Sequence, residues 1–201
     1  MNLDRCSALI CAVALGAAAL FPVLSEAADE KPAARVVIYP RPEQAPASSD
    51  FTVSVEGKAV DLYKHNRVSF GYFDFGGRPV DVQVEVRCTS RLGSAQVLPE
   101  RLASKPVVDK EKRLVTFRIS EPHSYLTLLV NGRYTGNILH LFANGLETDP
   151  IRGPKKDVLY FGPGYHEPEG GTITITEKNQ TLYVAGGAYV NAMVRANGAT
   201  G

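Results

Sequence analysis

From Val80 to Cys88 the chain sets Val80, Val82, Val84, Val86 and Cys88 in strict alternation with Asp81, Gln83, Glu85 and Arg87. A period of two places each set on one face of an extended strand, whereas a helix would scatter both sets around its surface. One face of this segment must therefore meet a core while the other meets water, as in an antiparallel sheet covered on one side. Valine at each inward position suits a strand, because branching at Cβ packs well on a pleated surface. The same parity turns Cys88 inward as a small apolar side chain rather than a reactive thiol.

The pattern recurs along the first three quarters of the chain. Arg35 to Tyr39 is rich in β-branched residues and stops at Pro40, and Phe51, Val53 and Val55 alternate with Thr52, Ser54 and Glu56. A turn at Gly57-Lys58 leads to a return strand carrying Val60 and Leu62, Val115, Phe117 and Ile119 repeat the alternation, and Tyr125 to Val130 ends at Asn131-Gly132. After the first 27 residues no apolar period of 3.6 persists for three turns, so the expectation is an all-β chain with an antiparallel β-sandwich over residues 35–148.

Residues Ala8 to Leu24 form a nearly unbroken apolar run after Arg5, followed by the small-residue exit Ser25-Glu26-Ala27. This is a signal-peptide pattern with cleavage after Ala27, and residues 28–34 read as a linker. Cleavage removes Cys6 and Cys11 and leaves Cys88, which can form neither an internal disulfide nor a cysteine-rich zinc site. The expected location is secreted or periplasmic, without membrane contact once the leader is removed. With 22 Lys plus Arg against 21 Asp plus Glu, no strong field steers the chain to nucleic acid. His65, His123, His140 and His166 lack metal-ligand spacing, and no nucleotide or nucleophile-elbow motif occurs, so neither a metal nor a cofactor is expected.

After Asn144-Gly145 the texture changes. Pro150, Gly153, Pro154, Lys155 and Lys156 make a turn-rich connection. Beyond it come short apolar stretches at Val158–Phe161, Thr172–Thr176, Thr181–Val184 and Ala188–Val194, separated by Gly and Asn corners. Strands this short and closely spaced suit rungs of a solenoid, in which each coil pairs with the one above it. Residues 149–201 are accordingly expected to start a parallel coil.

Several residues in this tail form a recognisable series: Phe161, the corner Gly162-Pro163-Gly164, His166, Gly171, the strand Gln180-Thr181-Leu182-Tyr183 and the turn Ala185-Gly186-Gly187-Ala188. The series resembles the entry coils of right-handed parallel β-helix glycoside hydrolases, the pectin-lyase-like group that includes polygalacturonases and dextranases. The segment Asn137 to Asn144 is similar to the strand by which an N-terminal sandwich in such enzymes hands over to the helix. In this reading Gly162, Pro163, Gly164, His166, Gly186 and Gly187 are architectural, with glycine and proline shaping tight corners.

The resemblance implies a polysaccharide-active enzyme, but its catalytic aspartates lie on later rungs in motifs that do not occur here. Hydrolysis of a glycosidic bond takes two carboxyl groups flanking it, and the pair Glu167 and Glu169 beside His166 sits in a Pro- and Gly-rich corner that fits a structural role better. The expected function is the non-catalytic, capping N-terminal part of an exported glycoside hydrolase, truncated before its catalytic rungs. The alternative is a stand-alone carbohydrate-binding or adhesion sandwich. Polysaccharide is the partner expected in either case, and Tyr72 and Phe73, in the aromatic cluster Phe70 to Phe75, are the candidates for stacking on sugar. Alternation puts those two rings on opposite faces, so at least one of them belongs to the core.

Overall fold

A computed structural model describes residues 34–134, 136 and 138–196. The leader, most of the linker and Asn137 lie outside the described residues, which all belong to one compact unit, Lys31–Gly201. In chain order the strands are β1 (Arg35–Ile38), β2 (Phe51–Val55), β3 (Lys58–Val60), β4 (Tyr63–His65), β5 (Val68–Gly76), β6 (Val80–Val86), β7 (Ala95–Leu98), β8 (Val107–Asp109) and β9 (Leu114–Ile119). They continue with β10 (Ser124–Val130), β11 (Ile138–Gly145), β12 (Val158–Phe161), β13 (Gly164–His166), β14 (Thr172–Ile175), β15 (Thr181–Val184), β16 (Ala188–Val190) and β17 (Met193–Ala196). No helix among the described residues is long and apolar enough to cross a membrane.

The first eleven strands form a sandwich. One sheet has the order β3-β2-β6-β9-β8 and is antiparallel throughout. The other runs β1-β5-β11-β10-β7, with β4 also paired to β5. Their facing sides share one core, in which Val80, Val82, Val84 and Val86 from β6 meet Phe73 and Phe75 from β5 and Leu139 and Leu141 from β11. All four valines are fully excluded from solvent. Each is worth roughly 1.5–3 kcal/mol relative to an exposed side chain. Cys88 lies just past the end of β6 and packs against the same core.

Two details differ from the alternation reading. The β2–β3 reversal lies one residue earlier than Gly57-Lys58: Glu56 and Gly57 both have positive φ, 48° and 76°, as a two-residue hairpin turn matched to strand twist requires. The second sheet is mixed, because β11 runs parallel to β5 from Ile138 beside Val68 to Gly145 beside Phe75. Side-chain alternation is the same in both directions, so periodicity carries no information on strand polarity.

Beyond residue 157 the pairing changes character. Three successive strands, β12, β13 and β14, each pair in parallel with a later counterpart, β15, β16 and β17. Val158 lies beside Thr181, Gly164 beside Ala188 and Thr172 beside Met193. The stretch Ala188–Val194 divides at Asn191, whose backbone N–H reaches the His166 carbonyl, and Gly164–His166 is a strand where the sequence suggests only a corner. In this tail Ile173 and Gly187 alone among the described residues are buried, so the tail has little core of its own. Its anchorage must come from the sandwich.

Candidate functional site

Register fixes which side chains share the outer face of the mixed sheet. One row across the strands reads Tyr125, Phe142, Tyr72, from β10 through β11 to β5. The next row toward the sheet's open end places Asn144 beside Asp74, and the row on the other side sets Thr127, His140, Phe70 and Tyr63 in line. This face is therefore aromatic and polar, while the opposite face of the same strands is the sandwich core.

The tail is seated on the β5 side of this face by stacked rings. Tyr39 packs on Tyr72 with centroids 5.6 Å apart, Tyr72 on Tyr63 at 6.0 Å, Tyr63 on Tyr189 at 5.6 Å and Tyr189 on Tyr165 at 5.5 Å. Phe70 stacks on Tyr63 at 5.3 Å. Tyr165 and Tyr189 are themselves partners in the parallel β13–β16 pair, so one column of rings spans sandwich and tail. Ring pairs of this kind add about 0.5–1.5 kcal/mol each beyond the area they bury. Tyr63 is almost wholly buried and its hydroxyl has no hydrogen-bond partner among the described residues. Burial pushes that phenol above its usual range, and the neighbouring Tyr72 hydroxyl, close but outside hydrogen-bond geometry, adds to the effect.

The small residues of the tail are explained by this contact. A Cβ on Gly186 would stand 2.2 Å from the Tyr39 ring, so only glycine lets that ring close on the turn. Gly187 has φ of 85° and donates its N–H to the Tyr72 hydroxyl at 2.9 Å. Gly162 lies against Tyr160, which would crowd a Cβ at 3.1 Å, and Gly164 has φ of 124°. His166 Nε2 is 2.6 Å from the Gly162 carbonyl, which accepts its proton, and the imidazole meets Phe161 edge-on at 5.3 Å. This corner is locked by its own side chains. Glu167 accepts from the Asn191 amide at 3.2 Å and so ties the segment after β13 to the one after β16.

Where the turn Ala185–Ala188 meets β1, β5 and the end of β11, a cleft opens in two lobes of about 350 and 380 Å³. Tyr39, Asp74, Glu147, Ala185 and Gly186 border both lobes. Tyr39 donates to Asp74 at 2.5 Å, Asn144 donates to the other Asp74 oxygen at 3.3 Å, and Tyr183 donates to Glu147 at 2.7 Å. Burial, reinforced by the bond to Asp74, pushes the Tyr39 phenol well above its ordinary range, so it stays protonated and remains a donor. Burial followed by the bond to Glu147 moves Tyr183 the same way. Tyr183 also stacks on Tyr160 at 5.7 Å, repeating across β12 and β15 the ring pairing seen across β13 and β16. Farther along the outer face, burial lowers the pKa of His140, whose Nδ1 is 2.9 Å from the Thr127 hydroxyl.

The two aromatic candidates separate. Phe73 is completely buried between the sheets and offers no surface to a sugar, because its parity is that of the core. Tyr72 lies on the outer face, opposite Phe73, but Tyr39 and Tyr63 flank its ring and its hydroxyl is engaged by Gly187. The exposed rings on this face are instead Tyr125 and Phe142, 54% and 38% accessible, with centroids 5.8 Å apart. No linear pattern marks this pair or the Asp74–Glu147 cleft, since a chain reversal separates Tyr125 from Phe142 and register alone brings them together. Among the described residues no three His, Cys, Asp or Glu side chains converge as metal ligands. No protein-family model matches this chain, and no curated protein matches its sequence.

Proposed function

We propose that the chain is the capping, accessory N-terminal part of an exported polysaccharide-active glycoside hydrolase, with the sandwich serving as the base on which parallel coils are laid. The observation that carries this reading is the β12–β17 arrangement: three strands in sequence, each answered in parallel by a strand one turn later. Such pairing is the growth rule of a parallel β-helix, where every coil templates the next. The first coil lies beneath the second, and the ring column fixes both to the sandwich.

The outer strands support the same reading. Among the described residues β15, β16 and β17 each have a hydrogen-bonded partner strand on one side only. Val184, Met193 and Val194 on these strands are 48%, 56% and 51% exposed. An edge with apolar side chains and free backbone groups invites pairing with another strand, and a further coil would satisfy it. The glycines that thin the corners and the locked Gly162–His166 turn serve the stacking, which is the role expected of an architectural base. Catalysis is assigned elsewhere in such an enzyme, on rungs beyond those described.

Concentration-dependent self-association tests the proposal. An open coil edge predicts that the full chain associates at micromolar concentration in light scattering, and that Met193→Lys with Val194→Lys restores a monomer of unchanged thermal midpoint. A wild-type chain that is strictly monomeric at every concentration would favour the stand-alone binding module instead. Release of reducing ends from dextran or polygalacturonate by the purified chain would overturn the non-catalytic assignment.

A further inference from the structure

The open part of the mixed sheet's outer face has the make-up of a sugar site. The tail covers the β5 side of this face, leaving Tyr125 and Phe142 uncovered on β10 and β11. Their rings are adjacent, and both stand on strands of a rigid sheet whose reverse side is the packed core. One residue pair along, Asn144 and Asp74 line the lobe of the cleft that also holds Tyr72 and Val184. An apolar platform thus runs directly into a recess with an amide and a carboxylate.

From this juxtaposition we infer that Tyr125 and Phe142 form a binding platform for an uncharged pyranose unit of a polysaccharide, with Asp74 and Asn144 receiving its hydroxyl groups. A pyranose has an apolar face of C–H bonds and an equatorial rim of hydroxyls, so it matches an aromatic surface bordered by acceptors and donors. Asp74 keeps free acceptor capacity after accepting from Tyr39 and Asn144, because a carboxylate has about four lone-pair positions. The charge pattern selects a neutral sugar. Asp74 and Glu147 border the lobe next to the platform and no Lys or Arg among the described residues does, while Arg35 and Arg152 border the other lobe. A uronate placed on the platform would meet a carboxylate rather than a guanidinium.

The inference rests on the reading of this chain as part of a polysaccharide-active protein, but its platform is Tyr125 and Phe142 on β10 and β11 rather than Met193 and Val194 of the coil edge, and it is read out separately. Native electrophoresis of the full chain through gels containing dextran, xylan or polygalacturonate provides the test. Retardation is expected in at least one of the two neutral polymers and not in polygalacturonate. Tyr125→Ala combined with Phe142→Ala should weaken the interaction by about tenfold or more, and Tyr125→Phe should retain most of it. Val107→Ala, an exposed apolar residue on the other sheet, should change nothing. Equal thermal midpoints for all variants would confirm that folding is intact, as expected for exposed positions. No retardation in either neutral polymer, retardation in polygalacturonate alone, or retardation that survives the double substitution would each overturn the site. None of these results bears on self-association through the coil edge, so the two proposals fail independently.

Discussion

At the scale of single residues, a neighbouring ring sets glycine identity at Gly162 and Gly186, whereas Gly164, Gly170, Gly171 and Gly187 have the positive φ that favours glycine. Gly186 illustrates this, since the Tyr39 ring occupies the space a methyl group would need. Gly186→Ala must push that ring away, which disturbs its stack on Tyr72 and its hydrogen bond to Asp74 together. A cost of about 1–3 kcal/mol follows from overpacking. Gly132→Ala supplies the contrast: φ is 66° there but the surrounding space is open, so the penalty is confined to backbone strain of about 1 kcal/mol. Chemical denaturation of the two variants measures the difference, and near-ultraviolet circular dichroism should change for Gly186→Ala alone, because only that substitution moves tyrosines. Equal effects in both measurements would remove the steric explanation. The sequence displays Gly186-Gly187 plainly as a tight turn, but not the ring that makes the first glycine necessary, since Tyr39 lies almost 150 residues earlier in the chain.

At the scale of elements, two kinds of strand coexist. β6 is legible from its alternation because one face is fully buried and the other solvated, and β2 and β9 are legible for the same reason. β4, β7 and β8 are three or four residues long and lie at sheet margins, where too few inward positions exist to define a period. The parallel direction of β5 and β11 is invisible to periodicity, and it depends on the long excursion through β6 to β10 between them. Burial also divides the strands by expected stability. Amides in β6, β9, β10 and β11 should exchange with solvent only on global unfolding, because their side chains fill the shared core. Those of β12 to β17 should exchange faster despite their hydrogen bonds, since Ile173 is the only buried apolar residue described there. Native-state hydrogen exchange followed by residue would show two tiers of protection. A single tier across both groups would mean that the tail has the cooperativity of the core, against the division drawn here.

At the scale of the whole molecule, the sandwich's two faces have different tasks. The inner face folds the domain, and the outer face of the mixed sheet both seats the tail and leaves an aromatic and polar surface beside it. The all-β character and the change of texture near residue 150 were legible in composition and spacing. The site was not, because Tyr125, Phe142, Asp74 and Glu147 come together through register and through the docking of the tail, neither of which a linear pattern encodes. The claim on which the rest depends is that the tail's strands stack in parallel and that the ring column fastens β13 and β16 to the sandwich. Nuclear Overhauser contacts among selectively labelled tyrosines test it most directly. Tyr189 should show ring contacts to both Tyr165 and Tyr63, with Tyr160 contacting Tyr183. A spectrum in which Tyr189 contacts neither ring, and Tyr160 lies away from Tyr183, would contradict the stacked tail and everything argued from it.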